Sequence, residues 1–166
     1  MDFIPASYQR NFGDNQMMYF MYSKRIAVNP KAGRIVVAMK YFSRIHVFDL
    51  QSRYIRSVTT GPLQQPQIRG LNIAGTSLLH TLDMCTTDKR VYILWSGYPV
   101  SEQDEAGPGF SAALVFDWDG SLEKVYEIDR AMQIGVSPAN RHLFGFGVRE
   151  LGTFLMHYYL KSDNKP

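Results

Sequence analysis

Residues 26–58 read IAVNPKAGRIVVAMKYFSRIHVFDLQSRYIRSV, and this stretch decides the fold. Asn29-Pro30-Lys31-Ala32-Gly33 is a turn. Pro30 presets φ, and Gly33 tolerates a left-handed backbone. The strand RIVVAMKY follows, then a tight connection at Tyr41–Arg44, then RIHVFDL, where Ile45, Val47 and Phe48 are apolar and His46 falls on the alternate face. Gln51-Ser52 turns the chain into RYIRSVTT, which alternates with the period of two that a pleated strand requires.

The unit returns further along the chain. MCTTDKRVYILWSGY (84–98), an insertion, and AALVFDWDGSLEKVYEI (112–128) form a second copy. IGVSPANRHLFGFGVRELGTFLMHYYL (134–160) forms a third that lacks its last strand. Thr86–Lys89 and Ser137–Asn140 occupy the turn slot of Asn29–Gly33, and Asp119-Gly120 is a strong hairpin signal. LNIAGTSLLHTL (71–82) admits one extra strand or a short helix and reads better as strand. MMYFMY (17–22) is a further short apolar run. No amphipathic helix of convincing length appears, because Ser121–Ala131 repeats with period two and not 3.6.

These features predict an all-β chain forming one domain over 1–166, with blade-like repeats at about 24–60, 79–130 and 133–160. Runs such as VVAM, YILW and LFGF are apolar on both faces, so each sheet must be covered on both sides. Propeller blades meet that demand by stacking blade on blade. A β-sandwich needs one buried face per sheet and would alternate more cleanly. The expectation is a partial β-propeller of about three four-stranded antiparallel meanders.

Val136-Ser137-Pro138-Ala139-Asn140-Arg141 and Val115-Phe116-Asp117-Trp118-Asp119-Gly120, with Val47-Phe48-Asp49-Leu50 as a further copy, resemble the motifs of the TolB-like six-bladed propellers common among envelope proteins of gut Bacteroidetes. The resemblance implies six blades, which take about 250–300 residues. The 166 residues here hold about three, and three blades cannot close a ring. Two explanations fit. The chain is the carboxy-terminal half of a longer protein, or two copies meet as a homodimer through exposed blade faces to give six blades.

Composition limits the function classes. The formal charge of +3 is spread along the chain, with Lys24-Arg25 and Lys89-Arg90 its only adjacent basic pairs. Nucleic-acid binding shows a basic stripe or a known motif, and neither is present. The one cysteine, Cys85, rules out an internal disulfide framework. No apolar run reaches the ~18 residues of a membrane span, and the amino terminus has no signal-peptide pattern. As written, the chain is expected in the cytoplasm; as a piece of a longer family member, in the cell envelope or periplasm.

The sequence offers no catalytic residues, cofactor or metal ligands. His46, His80, His142 and His157 are scattered and form no metal spacing. Glu102, Asp104 and Glu105 lack the glycine and terminal glutamate of a calcium loop. Asp49 and Asp117 share one repeat position and are expected to cap the following turn, as Pro30 and Pro138 shape theirs; His157 is read as the third copy's residue in that slot. Loops between second and third strands, and between blades, emerge on one face. Arg69, Asn72, Tyr98, Asp104 and Arg149 are the candidate ligand-binding residues there. The reading is a non-catalytic scaffold for a protein, peptide or glycan. The alternative is a sugar- or lactone-processing propeller enzyme with a channel metal, which requires carboxylate, Asn or His side chains converging on the axis.

Overall fold

A computed structural model describes residues 21–69, 72–102, 110–129, 131–149 and 152–160. Three antiparallel meanders make up its bulk. The first is β1 (Lys24–Asn29), β2 (Arg34–Met39), β3 (Arg44–Asp49) and β4 (Tyr54–Thr59), in that spatial order. A small hairpin follows, β5 (Ile68–Arg69) and β6 (Asn72–Ile73). The second meander is β7 (Leu78–Thr86), β8 (Arg90–Pro99), β9 (Phe110–Asp117) and β10 (Leu122–Asp129). The third holds three described strands, β11 (Gln133–Val136), β12 (His142–Arg149) and β13 (Gly152–Tyr159).

The sheets stack face to face with the second in the middle. Alternation along β8 explains how. Val91 and Ile93 point to one side and join Val36, Ala38, Ile45 and Val47 of the first sheet with Leu114, Phe116 and Trp118. Tyr92 and Leu94 point to the other side and join Ala113, Val115 and Ile128 with Ile134 and Leu143 of the third sheet. Two layers of core therefore share one central sheet. Burying a large aliphatic or aromatic side chain contributes about 1.5–3 kcal/mol, so these layers carry most of the stability.

The expectation that every sheet is covered on both faces holds for the middle sheet only. Ile26 and Val28 of β1 are more than half exposed on the far side of the first sheet. Phe146, Val148, Leu155 and Tyr159 are exposed on the far side of the third. The sheets are open, and each end sheet presents an apolar outer face.

The turns at one end of the stack repeat a single device. Asn29 Oδ1 accepts from the backbone N–H of Lys31 and Ala32 at 3.0 and 3.1 Å. Thr87 Oγ1 accepts from Lys89 and Arg90, and Ser137 Oγ from Arg141 and His142. Short polar side chains thus satisfy backbone donors that the bend strands. The same turns bind sheet to sheet. Asn29 Nδ2 donates to Asp88 O at 2.9 Å, and Lys31 pairs with Asp88. Arg34 pairs with Asp119 at 2.7 Å. Asn140 Oδ1 accepts from the Thr87 and Tyr92 hydroxyls.

Asp49 and Asp117 close the next turns. Asp49 Oδ1 accepts from the N–H of Gln51 and Arg53, and Asp117 Oδ1 from Ser121 N–H at 2.7 Å. Asp49 lies opposite Arg34, and Asp117 opposite Arg90. The matching partner of His142 is Tyr159, so Tyr159, and not His157, fills that slot in the third sheet. Strand pairing, and not spacing along the chain, sets this equivalence.

Two other sequence readings are refined. The described part of 71–82 is strand and not helix, as read, but it is divided between β6 and the start of β7. Of 17–22, Met21 and Tyr22 are described and lie outside the strands; Met21 is buried, and Tyr22 stacks on Phe42 at 5.4 Å. Residues 17–20 lie outside the described residues. Among the described residues no helix is long and apolar enough to cross a membrane.

Candidate functional site

Strand direction sorts the connections into two ends. The tight turns just described gather at one. The other collects residues 40–43, the 60–77 segment with its β5–β6 hairpin, the connection after β8, and the links into β11 and β13. This is the loop-bearing end.

The structure places four of the five candidate residues at this end. Arg69 and Asn72 are direct cross-strand partners in the β5–β6 hairpin, both exposed. Tyr98 sits near the end of β8 opposite Leu79, half-buried. Arg149 ends β12 opposite Gly152. Asp104 lies outside the described residues. Pairing thus unites Arg69 with Asn72, and it does not bring Arg149 to them.

Hydrogen bonds from the backbone hold the hairpin segment. Ala74 N–H donates to Gln67 O, and Gln67 N–H to Ser77 Oγ, both at 2.8 Å. The turn after β8 is fastened to the same segment, Val100 N–H donating to Ser77 O at 2.9 Å and Ser101 N–H to Gly75 O at 3.0 Å. The short strand carrying Arg69 and the strand end carrying Tyr98 therefore share one hydrogen-bonded support.

Beneath this support lies a polar cluster that sequence reading missed. His80 has no exposed surface, and neither ring nitrogen has a hydrogen-bond partner. The buried Trp95 Nε1 is likewise unpartnered. Both border Gly61: a Cβ there would stand 3.6 Å from Trp95 Nε1 and 3.7 Å from His80 Nδ1. Burial pushes the His80 imidazole below its usual value, holding it neutral. The sequence signal was a lone histidine in an apolar run, which by itself distinguishes no role.

The first strands of the three sheets, β1, β7 and β11, lie side by side at one edge of the stack. Asp83 on β7 ties them together. Its carboxylate pairs with Arg25 of β1 at 3.3 Å and accepts from Ile134 N–H of β11 at 3.0 Å. Asp83 is thus occupied as a strut between sheets. Nearby Cys85 is no nucleophile at neutral pH, because burial, aided by the Asp83 charge, pushes its thiol up to about 12. Among the described residues no group of three His, Cys, Asp or Glu side chains is close enough to share a metal ion.

Comparison with solved structures finds a likeness to a member of the DUF4221 family from Bacteroides vulgatus. The TM-score is 0.50 at 10% sequence identity, covering 84% of this chain and 46% of that one. The likeness is one of fold, and this chain spans about half the length of that neighbour. No family model matches the sequence, and no curated protein does. The TolB-like resemblance therefore rests on the repeated motif residues alone.

Proposed function

We propose that this chain is half of a six-bladed β-propeller and serves as a non-catalytic binding scaffold, holding a protein, peptide or glycan at its loop-bearing end through Arg69, Asn72, Tyr98, Asp104 and Arg149. The observation that carries the reading is the state of the sheet faces. The middle sheet is covered on both sides, whereas both end sheets keep apolar outer faces. A wedge-shaped stack with two such ends calls for further sheets to close it. A neighbour of about twice the length supports a complete unit larger than this chain. The scaffold role is supported by the chemistry of the inner strands, where Asp83 is engaged between sheets and Cys85 stays protonated.

A second copy of the chain is the proposed closing half, the first sheet of each copy covering the third sheet of the other about a two-fold axis. Size-exclusion chromatography with light scattering tests this. The expected mass is twice the 19.0 kDa of one chain; a monomer persisting at ~1 mM overturns it. Binding is tested on glycan and peptide arrays with the wild type and an Arg69→Ala/Asn72→Ala double variant. Retained signal in the double variant removes the hairpin from the site.

A further inference from the structure

His142 and His157 come together on the outer face of the third sheet. They are fifteen residues apart in sequence, on neighbouring strands, and diagonal across the β12–β13 register. His142 Nδ1 and His157 Nε2 stand 2.9 Å apart. His157 is exposed and His142 half-buried. Aromatic rings fix both imidazoles. The Phe144 ring stacks on His157 at 4.9 Å with 8° between planes, and Tyr159 lies 5.2 Å from His142 and 4.7 Å from His157.

We propose that this pair is a bidentate site for a late divalent transition-metal ion, Cu2+ or Ni2+. Imidazole nitrogen is a preferred ligand of these ions, which favour square-planar or tetragonal arrangements. Two nitrogens in adjacent corners of such a site, with bonds of about 2.0–2.1 Å, stand about 2.9 Å apart, whereas a tetrahedral ion needs about 3.3 Å. The observed separation is that of an N–H···N hydrogen bond, with the ring centroids 5.1 Å apart. It is already within the square-planar span, and the rings turn to aim both lone pairs at one ion. At present one ring donates an N–H to the other. Binding moves that proton to the donor ring's second nitrogen, so both inward nitrogens offer lone pairs and no net proton leaves. The pair sits on adjacent strands and not on a loop, so its spacing is fixed by the backbone ladder. Around it the face presents Gln133, Gly135, Phe144, Phe146, Leu155 and Tyr159, none of which repels a cation. Solvent fills the remaining coordination positions. The site lies on the outer face of the third sheet, the face a second copy would cover, so the ion binds the open chain and competes with that closure. The titration is therefore run at dilution, where failure to bind counts against the site and not against the propeller reading.

The test is a Cu2+ titration of the tag-free chain by calorimetry, with electron paramagnetic resonance of the bound ion. The wild type is expected to take one ion per chain, with hyperfine structure from two imidazole nitrogens. His157→Gln and His142→Gln each weaken binding at least about tenfold and lose one nitrogen from the spectrum, while His46→Gln changes neither. Zn2+ binds more weakly than Cu2+, following the order of divalent-ion affinities. Circular dichroism confirms that the exposed His157→Gln variant keeps its fold. Unchanged Cu2+ affinity in both His142→Gln and His157→Gln, or a wild-type dissociation constant above about 1 mM, overturns the proposal.

Discussion

The middle and third sheets each carry an apolar run on their second strands, yet they live in different surroundings. In β8, Val91, Tyr92, Ile93 and Leu94 are all buried. In β12, Leu143 is fully buried while Phe146 and Val148 are 40% and 53% exposed. The residue types do not separate the two strands; the number of neighbouring sheets does. An apolar run on both faces states a demand for cover, and the fold meets it only where a sheet stands on each side. The open face of the third sheet is thus a property of the assembly, not of local propensity.

Truncation in the two sheets breaks or sharpens this contrast most strongly. Leu94→Ala removes a side chain with no exposed surface from the layer shared with the third sheet, and should cost about 3 kcal/mol. Leu155→Ala removes one that is 70% exposed, and in dilute solution should change stability by less than about 0.5 kcal/mol. Urea denaturation of both variants reads the difference. Equal losses in dilute solution would mean that the outer face is covered there and the contrast is false.

A turn residue gives the next largest effect. Gly120 has φ of +82°, and a Cβ on it would stand 3.0 Å from Val47 Cγ2 and 3.2 Å from Val58 Cγ2 of the first sheet. Gly120→Ala combines left-handed strain with a clash between sheets and should cost about 1–3 kcal/mol. A loss below ~0.5 kcal/mol in the same assay would show that the middle sheet's turn does not press on its neighbour.

Much of this architecture was legible. The meander strands announced themselves by period two, and their turns by Asn29-Pro30, Asp119-Gly120 and Ser137-Pro138, because those residues act locally. What escaped was whatever depends on register or on backbone bonds. The β5–β6 hairpin has two residues per strand and is held by Gln67, Ala74 and Ser77, so it leaves no apolar pattern to read. Tyr159 took the slot assigned to His157 because strand pairing, and not sequence spacing, sets the equivalence. The His142–His157 pair and the His80–Trp95 cluster each unite residues fifteen apart, and only the folded sheet places them side by side. Of the candidate ligand residues, the sequence placed Arg69, Asn72, Tyr98 and Arg149 at one end by strand direction alone. It could not say which of them touch.

Acid has a gentler effect, acting through buried histidines of both the middle and the first sheets. Above about pH 6.5, the ordinary imidazole value, His80 is neutral whether the chain is folded or unfolded. As pH falls through that value the unfolded chain takes up a proton that the buried ring resists. The unfolded state then binds more protons, and folding stability declines with falling pH until the depressed folded value is reached. His46 adds to the same window, since burial and then the Arg44 charge lower its imidazole too. Midpoints in urea should be lower at pH 5 than at pH 7.5, and His80→Gln should flatten that slope. An unaltered slope in His80→Gln would assign the acid sensitivity to other groups.

The smallest effect sits on the open face itself. Gly135 lies in β11 with ordinary strand φ, and a Cβ there would meet nothing within 4 Å. Glycine inside a strand loses more backbone freedom on folding than alanine does, by roughly 0.5–1 kcal/mol. Gly135→Ala should therefore raise stability by about 0.5 kcal/mol in dilute solution, the opposite sign from Gly120→Ala. The sign changes because the middle sheet's glycine faces another sheet and the third sheet's glycine faces space. Measured again at concentrations where the chain self-associates, Gly135→Ala should lose that gain if the outer face becomes an interface between copies. A gain that persists at every concentration would leave the face uncovered and count against closure by a second copy.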